Sequence, residues 1–498
     1  MLKNYFKIAI RNIFKYKIVS FLNISGLAIG IASSLLILIF LQYELSYDKF
    51  HNEYEKIFRV LTLDNSLGVS SSEVGISFPA LAPAISEQIP EIIEYARFQP
   101  GAKRLLNYNE KILFSDNFYN AENSFLTMFS FEVLQGDKNE LLKKPNELML
   151  SETLTKKLFG NENAIGKTVI VGGGVSMEIT GIFKDFPKNS HLQTDAISSM
   201  VPSADQQGLI NFLTSWNSIS MVQYIKLVDP SKSQEVLEKM IAVIRENNVS
   251  DRFGLTIQPL EDVHLKSTNV LFEGYNQNKG EISYIYTLSA VALLIIIIAS
   301  INFMNLSTAK SIGRAKEIGV RKVVGANKKQ IILQQIGEST LLCFIAAFIS
   351  FGLLTTAGKI FNTPSGITLS LGLIQDPNIF VYIFIGVVLL GIVSGLYPAF
   401  VLTSFKPVKV LKGSFRSSSS GITVRRALLI WQFATSIVMI IGTGIVKEQM
   451  DFINNMDTGY NREQIMTFNM NNPGLRGGLQ TLREKMDSHS AVISSGLS

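Results

Sequence analysis

IVSFLNISGLAIGIASSLLILIFL, residues Ile18 to Leu41, runs for 24 positions without a charged side chain. A hydrocarbon core of about 30 Å needs roughly 20 apolar helical residues, so this stretch is long enough to cross a bilayer. Four more stretches meet the same requirement: Ile282 to Leu306, Ser339 to Ala357, Ile379 to Leu402 and Ala427 to Val446. The composition agrees, because 47% AVILMFWYC against 17% DEKR gives a mean hydropathy of +0.25, too apolar for an ordinary soluble chain. The first span is too long, and its basic leader too extended, for a typical cleaved signal peptide, so it reads as an uncleaved anchor.

Lys and Arg are retained on the cytoplasmic side, which orients the set. Residues 1–17 carry five basic side chains and no acid, 307–337 carry seven against Glu317, and 403–426 carry six against none. Residues 44–280 hold 22 basic and 30 acidic groups. One orientation satisfies all four segments: N-terminus and both later basic loops inside, 44–280 outside, and everything after Val446 outside. The formal net charge of +6 is therefore a topology signal, and no nucleic-acid partner is expected from it.

The leader, 1–17, spaces Leu2, Phe6, Ile10 and Ile13 as an interfacial helix would; a plain topogenic leader fits it equally. The region from Glu44 to Gly280 reads as mixed α+β. Its candidate strands are Ile57 to Leu63, Val169 to Val171 turning through Gly172, Gly173 and Gly174 into Met177 to Phe183, and Val222 to Leu227. Its candidate helices are Pro79 to Ile89, Glu152 to Leu158 behind a Ser151 cap, and Gln234 to Asn247. Arg425 and Arg426 precede the fifth span as Lys15 and Lys17 precede the first, a faint internal repeat. On that reading 447–498 opens a second outer domain that stops unfinished, as in a truncated sequence.

Chemistry that the sequence excludes narrows the function. The one cysteine, Cys343, rules out a disulfide framework and multi-thiolate metal sites, and no metal ligand set is expected from His51, His191, His264 and His489. His191 and His264 are expected in surface turns, and Glu261 with Asp262 on a solvated face. GNENAIGKT, Gly160 to Thr168, resembles a phosphate-binding loop but has one residue too many before its GK pair and runs into a hairpin-like TVIVGGGVSMEITGIF instead of a helix. No GxSxG or HExxH pattern supports hydrolysis. The five apolar interiors hold no Asp, Glu, Lys, Arg or His to relay ions. They do hold small residues four apart, Gly26, Gly30 and Ser34 in the first and Gly391 and Gly395 in the fourth, with Pro398 beyond, as helix packing needs.

The loop NLSTAKSIGRAKEIGVRKVVGANKKQIILQQIGESTLL, Asn305 to Leu342, is the richest stretch. Glu317 and Arg321 stand four apart in the favourable helical order, and Gly325 can end that helix in a left-handed turn. Asn327 can cap the next helix with Gln330 as its reciprocal partner. The result is a short basic helix hung between two membrane spans. Judged on periodicity alone, a merely topogenic basic loop is the favoured reading.

RAKEIGVRKVVGA at Arg314 to Ala326, with Glu338 following, closely resembles the hallmark loop of FtsX/MacB-type ABC transporter permeases. SGLYPAFVLTSFKPVKVLKG, Ser394 to Gly413, resembles the close of that family's fourth helix, and LFGNENAIGKTV and DFPKNSHL look like its periplasmic core domain. The resemblance implies an α-helical membrane protein with a large mixed α+β extracytoplasmic domain, in a bacterial inner membrane. It implies no enzyme and no cofactor in this chain, with ATP and Mg held by a separate cytoplasmic ABC ATPase subunit, and a periplasmic adaptor and outer-membrane component as further partners. It implies a coupling helix over Arg314 to Ala326: Glu317 and Arg321 hold its shape, Lys316, Ile318, Val320 and Lys322 make contacts, and Gly319, Gly325 and Ala326 complete it.

The expected organisation is a leader over 1–17, a first span over 18–43, a periplasmic core domain over 44–281, an FtsX-like domain over 282–402, a linker over 403–426, a fifth span over 427–446 and the second domain after it. The expected activity is ATP-driven mechanotransmission with efflux or release of a periplasmic cargo. The alternative is an FtsX-type regulatory scaffold that moves no cargo.

Overall fold

The computed structural model describes residues 11–66, 73–101, 103–172, 174–361, 377–404, 419–456 and 478–496. The first ten leader residues, Gly173, linker residues 405–418 and residues 457–477 of the expected second outer domain lie outside the described set. Two compact units divide the chain: Met1–Tyr43 with Ser283–Gln464, and Glu44–Ile282 with Ile465–Ser498.

The first unit is helical. Helices Lys17–Leu45, Ile282–Gly313, Lys328–Phe361, Pro377–Ser404 and Ser419–Asn455 each contain a window apolar and long enough to cross a membrane. In lipid every backbone N–H and C=O must be paired within the segment, which is why such runs form helices rather than open strands. Leu27, Ala28 and Ile31 of the first, Ala299 and Phe303 of the second, Leu342, Cys343 and Ala346 of the third and Val387 of the fourth form one buried cluster. Glycine lets these helices approach closely. A Cβ added at Gly30 would stand 2.7 Å from Ala299 Cβ, and one at Gly391 2.6 Å from Thr340 Cα. Gly26 faces Asn302, Gly395 faces Ser339 and Ile336, and Ser34 Oγ donates to the Ala292 carbonyl at 3.1 Å. Pro398 sits inside the fourth helix, where it has no N–H for the Ser394 carbonyl. Among the described residues the fifth helix buries no part of its apolar window.

The second unit is built on a 13-stranded sheet. In spatial order its main path runs Phe253–Pro259, Ile57–Asp64, Val222–Leu227, Ile92–Pro100, Phe118–Ala121, Ala196–Ser199, Glu147–Ser151, Val175–Phe183, Thr168–Val171, Arg104–Tyr108 and Lys111–Ser115. Pairing is antiparallel except where Ala196–Ser199 meets Phe118–Ala121 and where Val175–Phe183 meets Glu147–Ser151. Strand Thr168–Val171 alternates exposed and buried residues, and Val171 pairs with Val175 across a turn in which Gly172 takes φ +62°. The element after GNENAIGKT is thus a strand, without the helix N-terminus that a phosphate-binding loop requires.

Local signals explain the helices of this unit. Ser151 Oγ accepts from Leu154 N at 3.3 Å to cap Glu152–Phe159, Glu152 lies in its first turn, Lys156 and Lys157 lie in its last, and Gly160 ends it at φ +66°. Ser233–Glu246 buries Val236, Met240, Val243 and Ile244, a stripe of i, i+4, i+7, i+8 spacing. Leu81–Gln88 starts two residues later than its apolar pattern predicts. The main core is aromatic: Phe98, Tyr119, Phe125, Phe129, Phe131, Phe183 and Phe186 share one cluster, each contributing about 1.5–3 kcal/mol by burial.

Two expectations about histidine are corrected here. His191 and His264 are 1% and 3% exposed, not in solvated turns. Carboxylates distant in sequence make their burial possible: His191 Nδ1 lies 2.9 Å from Asp48 Oδ2 and its Nε2 2.6 Å from the Tyr224 hydroxyl, while His264 Nε2 lies 2.8 Å from Glu44 Oε2 and its ring stacks on Tyr47. His51 is buried beside the same aspartate, and its Nδ1 accepts from Ser130 N at 3.0 Å. Burial pulls the His51 imidazolium down to about 4. Burial pushes the Asp48 carboxyl up, but the facing His191 and His51 outweigh it and hold it below the usual carboxylate range. Glu261 is exposed and paired with Lys49, as expected, whereas Asp262 is half-buried and paired with Lys266.

Candidate functional site

The loop between the second and third membrane-length helices folds into one helix, Ala315–Val323. The preceding helix stops at Gly313, and Arg314 takes a non-helical φ/ψ of −94°, 2°. Glu317 sits in the first turn and Arg321 and Lys322 in the last, the arrangement that the helix dipole favours. At the other end Gly325, at φ +100°, donates to the Lys322 carbonyl at 3.2 Å and Ala326 donates to the Arg321 carbonyl at 2.9 Å. These are the paired bonds of a Schellman stop. Asn327 N then donates to Gln330 Oε1 at 3.1 Å as the long helix Lys328–Phe361 begins.

Packing fixes the helix across two of its neighbours. Ile318 is buried with Ile331 of the third helix and Leu402 of the fourth. Lys322 Nζ donates to the Thr403 carbonyl at 2.8 Å. Arg321 bonds Glu317 Oε1 at 2.6 Å and Gln334 Oε1 at 3.1 Å. Arg314 Nη1 reaches Glu338 Oε2 at 2.9 Å, and both side chains are less than a tenth exposed. Asn12 Nδ2 and Gln334 Nε2 donate to Glu338 Oε1 at 2.9 Å and 3.0 Å.

The residues singled out in the sequence, with their neighbours Val323 and Val324, therefore differ in exposure. Arg314, Ile318 and Gly319 face inward, whereas Glu317, Val320, Val323, Val324 and Gly325 are exposed, with Arg321, Lys322 and Ala326 half-buried. Lys316 belongs to the helix, but its side chain is outside the described set. Ile318 is corrected as a docking contact: its apolar side chain seals the loop helix to its own neighbours. Gly26, Gly30 and Ser34 meet the second helix and Gly391 and Gly395 the third, so these packing positions are separate from the loop. Pro398 lies one turn before Leu402, the residue that covers Ile318.

Sequence reasoning missed the Arg314–Glu338–Asn12 junction. A lone carboxylate at the head of an apolar span was the available signal, because such a group needs a cation close by. Chemically the region offers a firm basic surface with exposed valines and no nucleophile–base pair. Among the described residues no group of three or more His, Cys, Asp or Glu is placed to hold a metal ion.

Residues 20–243 match the model of the MacB-like periplasmic core domain, and residues 289–407 match the FtsX-like permease C-terminal model. The macrolide export ATP-binding/permease protein MacB of Vibrio parahaemolyticus is 24% identical over 284 residues, covering 56% of this chain and 40% of that protein. Its namesake in Neisseria gonorrhoeae is 23% identical over 226 residues, covering 45% and 32%. The chain thus spans well under half the length of these curated relatives. Among solved structures, a domain of a putative permease from Porphyromonas gingivalis is 22% identical over 42% of this chain and 92% of that one, with a TM-score of 0.35. The periplasmic region of MacB from Actinobacillus actinomycetemcomitans is 17% identical over 42% and 90%, with a TM-score of 0.31.

Proposed function

Because the chain joins a MacB-like periplasmic core domain to an FtsX-like permease domain, and so belongs to the MacB/FtsX family of ABC transporter permeases, we propose that it is the permease subunit of a machine driven by a separate ATPase. The relatives named MacB are ATP-binding/permease proteins, and the matched parts of this chain are the permease parts alone. ATP and Mg then bind in the partner subunit.

The observation that carries the reading is the loop helix Ala315–Val323, basic, capped at its C-terminal end and tied to the third and fourth helices. Exposed Val320, Val323 and Val324 give it an apolar ridge flanked by Lys and Arg, suited to a groove with acidic walls on the ATPase. The charge bias supports an orientation with this loop in the cytoplasm and the core domain outside it, in keeping with a bacterial inner membrane. Nucleotide-driven movement of the ATPase would tilt the loop helix, and the helices fixed to it would pass that motion to the outer domain. The interiors of the spans carry no charge, which favours mechanical transmission over an ion-coupled route. Macrolide export by the relatives makes a macrolide the first cargo to assay, with a periplasmic adaptor and an outer-membrane exit component completing the path.

Co-purification with candidate ABC ATPase subunits of the source organism tests the proposal. Val320→Asp with Val324→Asp should abolish capture of the ATPase, and Glu317→Ala with Arg321→Ala should lower its stimulated turnover several-fold. Full capture and full stimulation in both variants would overturn the assignment of this loop as the docking element.

A further inference from the structure

Among the described residues of the helical unit, Glu338 gathers more polar contacts than any other carboxylate. Its two oxygens take Arg314 Nη1 at 2.9 Å, Arg314 Nη2 at 3.4 Å, Asn12 Nδ2 at 2.9 Å and Gln334 Nε2 at 3.0 Å. These partners come from three places: the start of the loop helix, the segment before the first membrane-length helix, and the preceding turn of the third helix. Gln334 extends the set, since its Oε1 accepts from Arg321 at 3.1 Å. Arg314 and Arg321 stand at opposite ends of the loop helix, and Glu338 and Gln334 stand one turn apart on the third. The loop helix is accordingly strapped to one face of the third helix at two points.

We propose that Glu338 is a positioning residue for transmission, a buried clamp through which a tilt of the loop helix moves the third helix and the first together. The inference rests on the permease reading and adds the route by which force enters the membrane helices. Geometry supports it in two ways. A tilt about a single contact would leave the third helix behind, whereas two straps one turn apart, about 6 Å along the axis, convert tilt into rotation of the whole element. The carboxylate is buried, so charge-assisted bonds hold it in a place where water cannot substitute for a lost partner. Fixing Asn12 to the same oxygen couples the N-terminal segment without a contact of its own to the ATPase. Glu338 itself is 7% exposed and cannot serve as a docking contact.

The test uses the full chain in nanodiscs with the ABC ATPase it captures, as Glu338→Gln, Arg314→Gln and the double variant. The ATPase concentration for half-saturation should stay within twofold of the unsubstituted chain, while maximal stimulated turnover falls about tenfold. The double variant should be no worse than either single one, because both remove the same strap. In a Cys343→Ala background, spin labels at Val324→Cys and Phe348→Cys should give one narrow distance in the parent and a broadened one in Glu338→Gln. Parent-like stimulation and a narrow distance in Glu338→Gln would overturn the clamp, as would losses that add in the double variant. An ATPase that ignores the unsubstituted chain would refute the permease reading, and the label distances would still decide the clamp.

Discussion

Acid should destabilise the mixed α/β unit, and His51 allows the size of the effect to be worked out. Its imidazole is 2% exposed and its Nδ1 is already an acceptor, so the neutral form is the one that fits. Burial lowers its pKa from 6.5 to about 4 in the folded chain. A folded value below the unfolded one means that the unfolded chain binds more protons between those two values. The stabilisation is therefore complete above 6.5, is lost as pH falls through 6.5 toward 4, and changes no further below that. Between pH 7.5 and pH 5.0 the loss is about 2 kcal/mol, approaching roughly 3 kcal/mol at the acid limit. Asp48 adds a second stage in the same direction, since its lowered pKa gives stability that is present above 3.8 and lost below it. The chain has two tryptophans, and Trp431→Phe leaves Trp216, packed beside Phe78, as a fluorescence reporter of this unit. Urea unfolding of that full chain in detergent micelles at pH 7.5 and pH 5.0, with and without His51→Gln, gives a double difference that isolates His51 and its coupled neighbours Asp48 and His191 from titrations elsewhere in the chain. His51→Gln should lower stability at pH 7.5 but remove about 2 kcal/mol of the loss on acidification. An equal loss in both chains would refute the assignment.

Gly391→Leu should cost about 1–3 kcal/mol or abolish folding, because its Cβ would collide with Thr340, whereas Gly352→Leu meets open space and should melt within about a degree of the parent. Thermal unfolding in detergent, followed by circular dichroism, separates the two. Arg59 is fully buried on strand Ile57–Asp64 and held by Glu273, Tyr275, Gln258 and Ser267. Arg59→Met should cost about 3 kcal/mol by leaving Glu273 buried with Lys279 as its remaining cation, and adding Glu273→Leu should restore part of that loss, both read by Trp216 fluorescence.

The residues show which features a sequence can disclose. Long charge-free runs announce helices because lipid leaves the backbone no other way to pair. Ser151 before Glu152, Gly325 after Lys322, and the glycines between Val171 and Val175 announce local events, since caps and tight turns depend on neighbours within a few positions. The order of the sheet was not readable that way. Phe118–Ala121 lies parallel to Ala196–Ser199 across 78 positions, and its register depends on which side chains fill the core between them. The histidines fail for the same reason: nothing near His191 in sequence suggests Asp48, which lies 143 positions away.

The same contrast bears on what holds the loop helix in place. Spacing drew attention to Glu317 and Arg321, and their bond forms at 2.6 Å. Both side chains, however, are about 40% exposed, and an exposed i, i+4 pair contributes only about 0.3–0.5 kcal/mol. The pair sharpens the helix but cannot resist much load. Arg314 and Glu338 are 24 positions apart and buried at 6% and 8%, and breaking such a pair costs about 3–5 kcal/mol because the remaining charge has no water to return to. Ile318 adds an apolar contact on the same inner face, and Lys322 ties the far end to Thr403. Resistance to force therefore resides mainly on the inward side of the helix, with the Arg321–Gln334 bond as a second strap. The exposed side, with Val320 and Val324, is left free to meet a partner. If, as proposed, this helix receives a push from an ATPase and passes it on, it needs this division: a face that binds reversibly, and a back that does not let go.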